Sequence, residues 1–99
     1  MKRNYLIEVH FSLSDDEDFI SQQSYQRMAI SRLMEKEVII THAMSTDNSR
    51  LWMVMRAGNE DSVYKILQKL PLFNYMHIQI YELTPDDSPM FALPRLSMN

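Results

Sequence analysis

Apolar and polar residues alternate near the start of the chain, which predicts a strand over residues 5–11. One face of this strand is entirely apolar: Tyr5, Ile7, Val9 and Phe11. The other face mixes apolar and ionisable side chains: Leu6, Glu8 and His10. A strand of this kind buries its apolar face in the core of the domain. Its mixed face is available for contact with a second surface.

Two segments have helical spacing. Residues 14–17, Ser-Asp-Asp-Glu, form a capping-box pattern that predicts a helix from about residue 16 to residue 36. Its side chains at helical spacing are Tyr25, Met28, Ala29, Arg32 and Leu33. Asn59 is a typical cap for a second helix. The apolar stripe of that helix is Val63, Ile66, Leu67 and Leu70.

Three further segments favour strands. Residues 38–44 and 51–57 are rich in β-branched and apolar side chains, and residues 45–49 between them are typical of a turn. Pro71 ends the second helix because it cannot donate a backbone hydrogen bond and disfavours helical geometry in the residue before it. A fourth alternating strand is then predicted over residues 75–83, with Met76, Ile78 and Ile80 opposite His77, Gln79 and Tyr81.

The resulting order, βαββαβ, predicts an α+β domain of the ferredoxin-like type over residues 1–84. Its sheet would be antiparallel and four-stranded, with both helices on one face. Residues 85–99 contain three prolines and are predicted to be an irregular C-terminal tail. This tail could dock on a neighbouring subunit, dock on its own domain, or stay disordered.

Composition excludes several classes of function. The formal net charge of −3 and the lack of a basic stripe argue against nucleic acid as a partner. Without cysteine, the chain has neither disulfides nor thiol catalysis. A single glycine cannot build a phosphate-binding loop. No segment is long and apolar enough to cross a membrane, so a cytoplasmic protein is expected.

The sheet face opposite the helices needs a cover. Strand alternation assigns to it Leu6, Glu8, His10, Trp52, Val54, Arg56, His77, Gln79 and Tyr81. Packing this face against the same face of a second copy would bury its aromatic area and leave a polar-lined cavity between the sheets. A homodimer, or a larger homo-oligomer, is therefore predicted.

This cavity is the predicted ligand site, and its catalytic candidates are Glu8, His10 and His77. A carboxylate and imidazoles on one face could shuttle a proton. The alternative is a buried polar network that sets the dimer register, and this alternative is favoured. The substrate-binding candidates are Trp52, Arg56, Gln79 and Tyr81, with the arginine placed to hold a carboxylate. No metal site is predicted, since His42 lies on a different strand of uncertain facing and no pair among His10, His42 and His77 has the spacing of zinc ligands.

Residues 70–76 read Leu-Pro-Leu-Phe-Asn-Tyr-Met. This segment resembles the Leu-Pro-Leu-Phe-Pro-Tyr-Met segment of the muconolactone isomerase family, and the order of elements is similar over roughly residues 4–84. The resemblance implies a dimeric α+β barrel. It also implies proton transfer on a small unsaturated lactone that carries a carboxylate, without metal or cofactor.

The chain departs from that family at several positions. Asn74 replaces a proline, and His77 replaces an acid. The acid–lysine–acid run of the family's first helix, which faces the pocket, is replaced by Gln-Gln-Ser-Tyr-Gln-Arg at residues 22–27. Two other functions therefore stay open: a non-catalytic oligomeric or ligand-binding module, and a cofactor-free monooxygenase-like enzyme.

Overall fold

The computed structural model describes residues 2–13 and 15–84. The predicted C-terminal tail, residues 85–99, lies outside these residues. The elements in chain order are β1 (Arg3–Phe11), α1 (Glu17–Glu35), β2 (Ile39–Met44), β3 (Arg50–Ala57), α2 (Glu60–Gln68) and β4 (Met76–Glu82), with a short 3-10 turn at Phe73–Tyr75 before β4.

The four strands form one sheet in the order β2-β3-β1-β4. Every neighbouring pair is antiparallel. This is the ferredoxin-like α+β fold that the order of elements predicts, and that prediction is confirmed. Within the described residues, no helix is both long and apolar enough to span a membrane.

The core lies on one side of β1. Tyr5 is 2% exposed, and Ile7 and Val9 are fully buried, which confirms the predicted apolar face. They belong to a single cluster that also contains the buried apolar side chains of both helices, Phe19 and Ile30 from α1 and Val63 and Leu67 from α2. Both helices therefore cover the same face of the sheet, and the opposite face is left open.

The predicted contact face of α1 is partly wrong. Tyr25 and Met28 are at least half exposed, at 57% and 50%. The buried residues of this helix are instead Phe19, Gln26 and Ile30. Their spacing is also helical, but the central residue of this buried stripe, Gln26, is polar. A search for apolar residues at helical spacing therefore does not detect the stripe.

The start of α1 is tied to the start of β4. Asp16, rather than a serine, is the N-cap, and its side chain accepts a hydrogen bond of 2.7 Å from the Phe19 backbone N–H. The hydroxyl of Tyr75 donates to Asp16 Oδ1 at 3.3 Å, and its ring meets Phe19 edge-on at 4.8 Å. Partial desolvation and the nearby carboxylates of Asp16 and Asp18 raise the pKa of Tyr75. Tyr75 thus ends the 3-10 turn, and β4 begins one residue later than predicted.

The predicted turn between β2 and β3 is present, and it is built around one carboxylate. Asp47 Oδ1 accepts hydrogen bonds from the Ser49 hydroxyl at 2.7 Å, the Ser49 backbone N–H at 3.0 Å and the Ser45 hydroxyl at 2.7 Å. These bonds favour the ionised form, with the Ser49 hydroxyl as the largest contributor. They lower the pKa of Asp47 from its ordinary 3.8 to about 2.

We expect Asp47 to stabilise the fold in a pH-dependent way. Because its pKa is lower in the folded state, its contribution is present above the ordinary 3.8 and is lost as the pH falls through about 2. Asp47→Ala should therefore unfold at a lower urea concentration than the unmodified protein at pH 7, and the difference should narrow by about pH 3. Urea denaturation at several pH values measures this. The neighbouring Thr46→Ala serves as a control, and an equal difference for Asp47→Ala at both pH values would contradict the prediction.

Candidate functional site

The open sheet face carries the predicted site residues, and the strand register brings their positions together. Glu8 on β1 lies between Trp52 on β3 and Gln79 on β4. His10 lies beside His77 in the same way. In an antiparallel sheet, directly paired residues point to the same side. We call the seven predicted residues here the sheet-face group: Glu8, His10, Trp52, Arg56, His77, Gln79 and Tyr81.

Three members of the sheet-face group form a connected chain. The indole Nε1 of Trp52 donates to Glu8 Oε2 at 3.2 Å. The other carboxylate oxygen, Oε1, lies 3.7 Å from His10 Nε2. The side chains of Glu8 and His10 are 28% and 44% exposed in the single chain. The carboxylate is therefore oriented by the indole and lies within reach of an imidazole.

The remaining members of the sheet-face group take no part in these contacts between Trp52, Glu8 and His10. His77 Nε2 is 2.8 Å from the Ser12 hydroxyl. Tyr81 donates to Gln79 Oε1, and both side chains are exposed. Arg56 is half-buried and lies across from Asn4, toward the far end of β3. The sequence reading missed Arg50, which lies across from His10 on the same face. It begins β3 one residue before the predicted strand, and strand alternation places it on the face of Trp52.

A cavity of about 380 Å³ lies on the other side of the sheet, between α1, β2 and the loop before β4. We call it the helix-side cavity. Its apolar lining comes from Phe11, Leu13, Phe19, Ile30, Met44, Leu51 and Leu72. Its polar lining comes from Gln23, Gln26, Arg27, Ser31, His42 and Asn48. An apolar cleft of this size with a few polar groups is typical of a small-molecule site.

A β-bulge directs His42 into this cavity. The pairing of β2 with β3 shifts between Ile39 and Thr41, so that one extra residue is accommodated. After the shift, His42 pairs with Met53, whose side chain is 1% exposed and lies in the core. A one-residue shift moves every following side chain to the other face of the sheet. The facing of His42, which the sequence left uncertain, is thus set by the bulge.

Gln26 is the buried polar residue of the helix-side cavity, with 3% of its surface exposed. Its Oε1 accepts a hydrogen bond of 3.0 Å from the Leu72 backbone N–H. Its Nε2 has no hydrogen-bond partner among the described residues. The amide therefore joins α1 to the loop before β4 with its oxygen and keeps a free donor on its nitrogen.

The exposed lining residues define the mouth of the cavity. Arg27, His42 and Asn48 are exposed, so that the mouth carries a guanidinium and an imidazole. None of these residues was among the predicted site residues. The useful sequence signal was the run at residues 22–27, which replaces the charged run of the resembled family and supplies Gln23, Gln26 and Arg27 to the lining. Among the described residues, no three His, Asp or Glu side chains are grouped as metal ligands.

Comparison with models of known protein families shows which family the chain belongs to. A sequence model described as muconolactone delta-isomerase matches residues 5–88. The chain belongs to the muconolactone delta-isomerase family. The resemblance of residues 70–76 is thereby confirmed as a family relationship. No curated protein matches the sequence.

Solved structures of similar fold agree with this membership. The crystal structure of muconolactone isomerase at 3.3 Å resolution matches with a TM-score of 0.74 and 18% sequence identity, covering 88% of this chain and 94% of that one. An uncharacterized protein from Thermotoga maritima matches with a TM-score of 0.55 and 15% identity, covering 85% of this chain and 100% of its own. At these identities the likeness shows the shared fold.

Gln26 is expected to contribute to stability through its oxygen. Gln26→Ala leaves the buried Leu72 N–H without its acceptor and should lower the free energy of unfolding by about 1–3 kcal/mol. Gln23→Ala, three residues earlier on the same helix, should change it by less than about 0.5 kcal/mol. Chemical denaturation of the two variants measures the difference. Equal losses would show that the Leu72 contact adds no stability.

Proposed function

We propose that this member of the muconolactone delta-isomerase family binds a small organic acid or lactone in the helix-side cavity and transfers a proton on it. The chemistry would be of the isomerase type and would be carried out by side chains without a cofactor. The observation that supports this is the cavity itself, which has about 380 Å³ of space, apolar walls and a few convergent polar groups. Sites for small ligands typically have about 300–1,000 Å³ and this kind of lining.

His42 is the proposed proton carrier in this cavity. Among the described lining residues, it supplies the imidazole, a group that can both accept and donate a proton. Arg27 at the mouth is suited to a carboxylate, because its guanidinium can donate two parallel hydrogen bonds. The carboxylates of the family's first-helix run are replaced here, so an imidazole on β2 would take over proton transfer from an acid on α1.

A ligand titration tests this function. Muconolactone and a panel of small lactones and oxo acids should shift the NMR signals of residues that line the helix-side cavity. For any compound that is turned over, His42→Asn should lower kcat by about 100-fold while binding persists, because general acid–base groups typically contribute about this much. Gln68→Asn on the outer surface of α2 is the control and should leave both kcat and binding unchanged.

The outcomes of this titration separate the alternatives. Binding without turnover of any compound would support a non-catalytic ligand-binding module of the same family. Signal changes confined to the sheet-face group would move the site to the opposite side of the sheet. A complete lack of binding in the cavity would contradict the proposed function.

The sheet face supports a second candidate, a site between two copies of the chain. Leu6 and Trp52 are large apolar side chains that stay half-buried on this open face. The acidic Glu8 shares the face with the basic Arg56, so each face can offer opposite charges to a copy of itself. In such a homodimer, Glu8, His10 and His77 would be the acid–base groups, and Trp52, Arg56, Gln79 and Tyr81 would contact the substrate. The contact from Trp52 through Glu8 to His10 favours this candidate.

The homodimer has a direct test. Light scattering at micromolar concentration should give the mass of a dimer, and Leu6→Glu should reduce it to that of a monomer because it places two new carboxylates in the interface. Tyr64→Glu, on the exposed surface of α2, should keep the dimer. Glu8→Gln removes one charge but leaves the apolar side chains of Leu6 and Trp52, so it should also keep the dimer. A loss of turnover in that variant would assign the chemistry to the sheet face. A monomer in the unmodified protein would rule out the interface.

A further inference from the structure

We propose that the outer face of α1 pairs with the same face of a second copy of the chain, with the two helices antiparallel about a two-fold axis at Ser24. In this contact, Ile20 of each copy occupies a depression on the helix of the other. The contact is separate from the sheet face, so it would join two molecules or two sheet-face homodimers into a larger assembly. It does not depend on the proposed ligand site.

A depression on the outer face of α1 has the form of a hole that receives a side chain. It is lined by six residues of this helix: Ser24, Arg27, Met28, Ser31, Arg32 and Glu35. Positions 24, 27, 28 and 31 have the spacing i, i+3, i+4 and i+7. Four such residues enclose the hole that accepts one side chain when two helices pack knobs-into-holes. The two serines are short, which lets a facing helix approach closely.

Ile20 is the side chain that fits this depression. It is 57% exposed and lies one helical turn before Ser24 on the same face, and Met28, one turn after Ser24, is 50% exposed. With a rise of about 1.5 Å per residue, Ile20 and Met28 each lie about 6 Å from Ser24, in opposite directions along the helix axis. A two-fold axis at Ser24 therefore places Ile20 of one copy over Met28 of the other, at the centre of the depression.

The charges at the two ends of this face select the antiparallel direction. Glu17 lies about 10 Å before Ser24 and Arg32 about 12 Å after it along the helix axis. The two-fold axis thus brings Glu17 of one copy to the level of Arg32 of the other, whereas a parallel pair would place like charges side by side. Among the described residues, the ion pairs are Arg3–Glu82 and Glu8–His10, so Glu17 and Arg32 are both available to a partner.

A second copy is the occupant that these observations specify. The protruding side chain, the depression and the two charges lie on one helix and match each other across a two-fold axis, as a self-complementary interface requires. Because one pair of helices buries less area than a standard interface, we expect this association above the micromolar range in which the sheet-face homodimer is tested. Arg27 and Ser31 also line the helix-side cavity, so the partner helix lies beside the mouth of that cavity.

Cysteine cross-linking tests the contact directly, since the chain contains no cysteine of its own. In Ser24→Cys the two-fold axis brings two thiols together, and mild oxidation should give a covalent dimer. Gln68→Cys, exposed on α2, is the control and should form a dimer at least about tenfold more slowly, because its thiols do not meet in this arrangement. The rate of dimer formation on non-reducing gels is the measurement.

A further substitution in the Ser24→Cys protein assigns the contact to Ile20. Ile20→Lys places a cation against Arg27 of the partner and should slow cross-linking by about tenfold, because like charges at an interface repel. Tyr64→Lys changes an exposed aromatic residue of α2 in the same way and should leave the rate unchanged.

An exchange of charges in the Ser24→Cys protein tests the direction of the helices. Glu17→Arg and Arg32→Glu should each slow cross-linking. The two substitutions together should restore it, because opposite charges then face each other again. Circular dichroism of every variant checks that α1 is intact.

Two results would overturn the inference. Equal cross-linking rates for Ser24→Cys and Gln68→Cys would show that the α1 faces do not meet. A charge exchange that leaves cross-linking slow in a folded protein would show that the helices are not antiparallel. If a substituted variant loses its fold, the comparison of the two single cysteines decides the question on its own. Ligand binding in the helix-side cavity is measured separately, so its failure and the failure of this contact are distinguishable.

Discussion

The burial of one face of β1 is the constraint on which the rest of this structure depends. β1 is paired on both sides, with β3 and with β4, so its backbone hydrogen bonds are satisfied within the sheet. Its alternate side chains from Tyr5 to Val9 are almost fully buried. Burying large apolar side chains is the main favourable contribution to folding, and here it requires both helices to lie on the same face. Everything that could act as a site is placed relative to this strand.

The same constraint creates two chemically different surfaces. The side of the sheet that faces the helices is apolar. On this side the helix-side cavity lies between α1 and the edge strand β2. The opposite side holds the polar chain from Trp52 through Glu8 to His10. The cleft between the helix and the edge of the sheet is formed by one chain alone. The flat opposite face needs a second surface before it can enclose a ligand.

Family membership and local chemistry give different information about this protein. The muconolactone delta-isomerase relationship covers residues 5–88 and agrees with the shared fold. The segment of α1 at residues 22–27, however, lines the cavity with amides and a guanidinium in place of the resembled family's charged run. A conserved scaffold can support altered chemistry when the groups that line its cavity change. Gln26 in this segment illustrates the change, since its side-chain amide accepts a hydrogen bond from the loop before β4.

The sequence by itself determined the order of elements, the apolar face of β1, the turn at residues 45–49 and the open sheet face with its polar residues. These follow from local rules: alternation in strands, hydrogen bonds of short polar side chains, and the effect of proline on helices. Tertiary structure alone decided which face His42 occupies, because a bulge in β2 reverses the alternation and depends on the pairing with β3. It also decided that Gln26 is buried, because the partner that makes this burial tolerable, the Leu72 N–H, is distant in the sequence and near only in the fold.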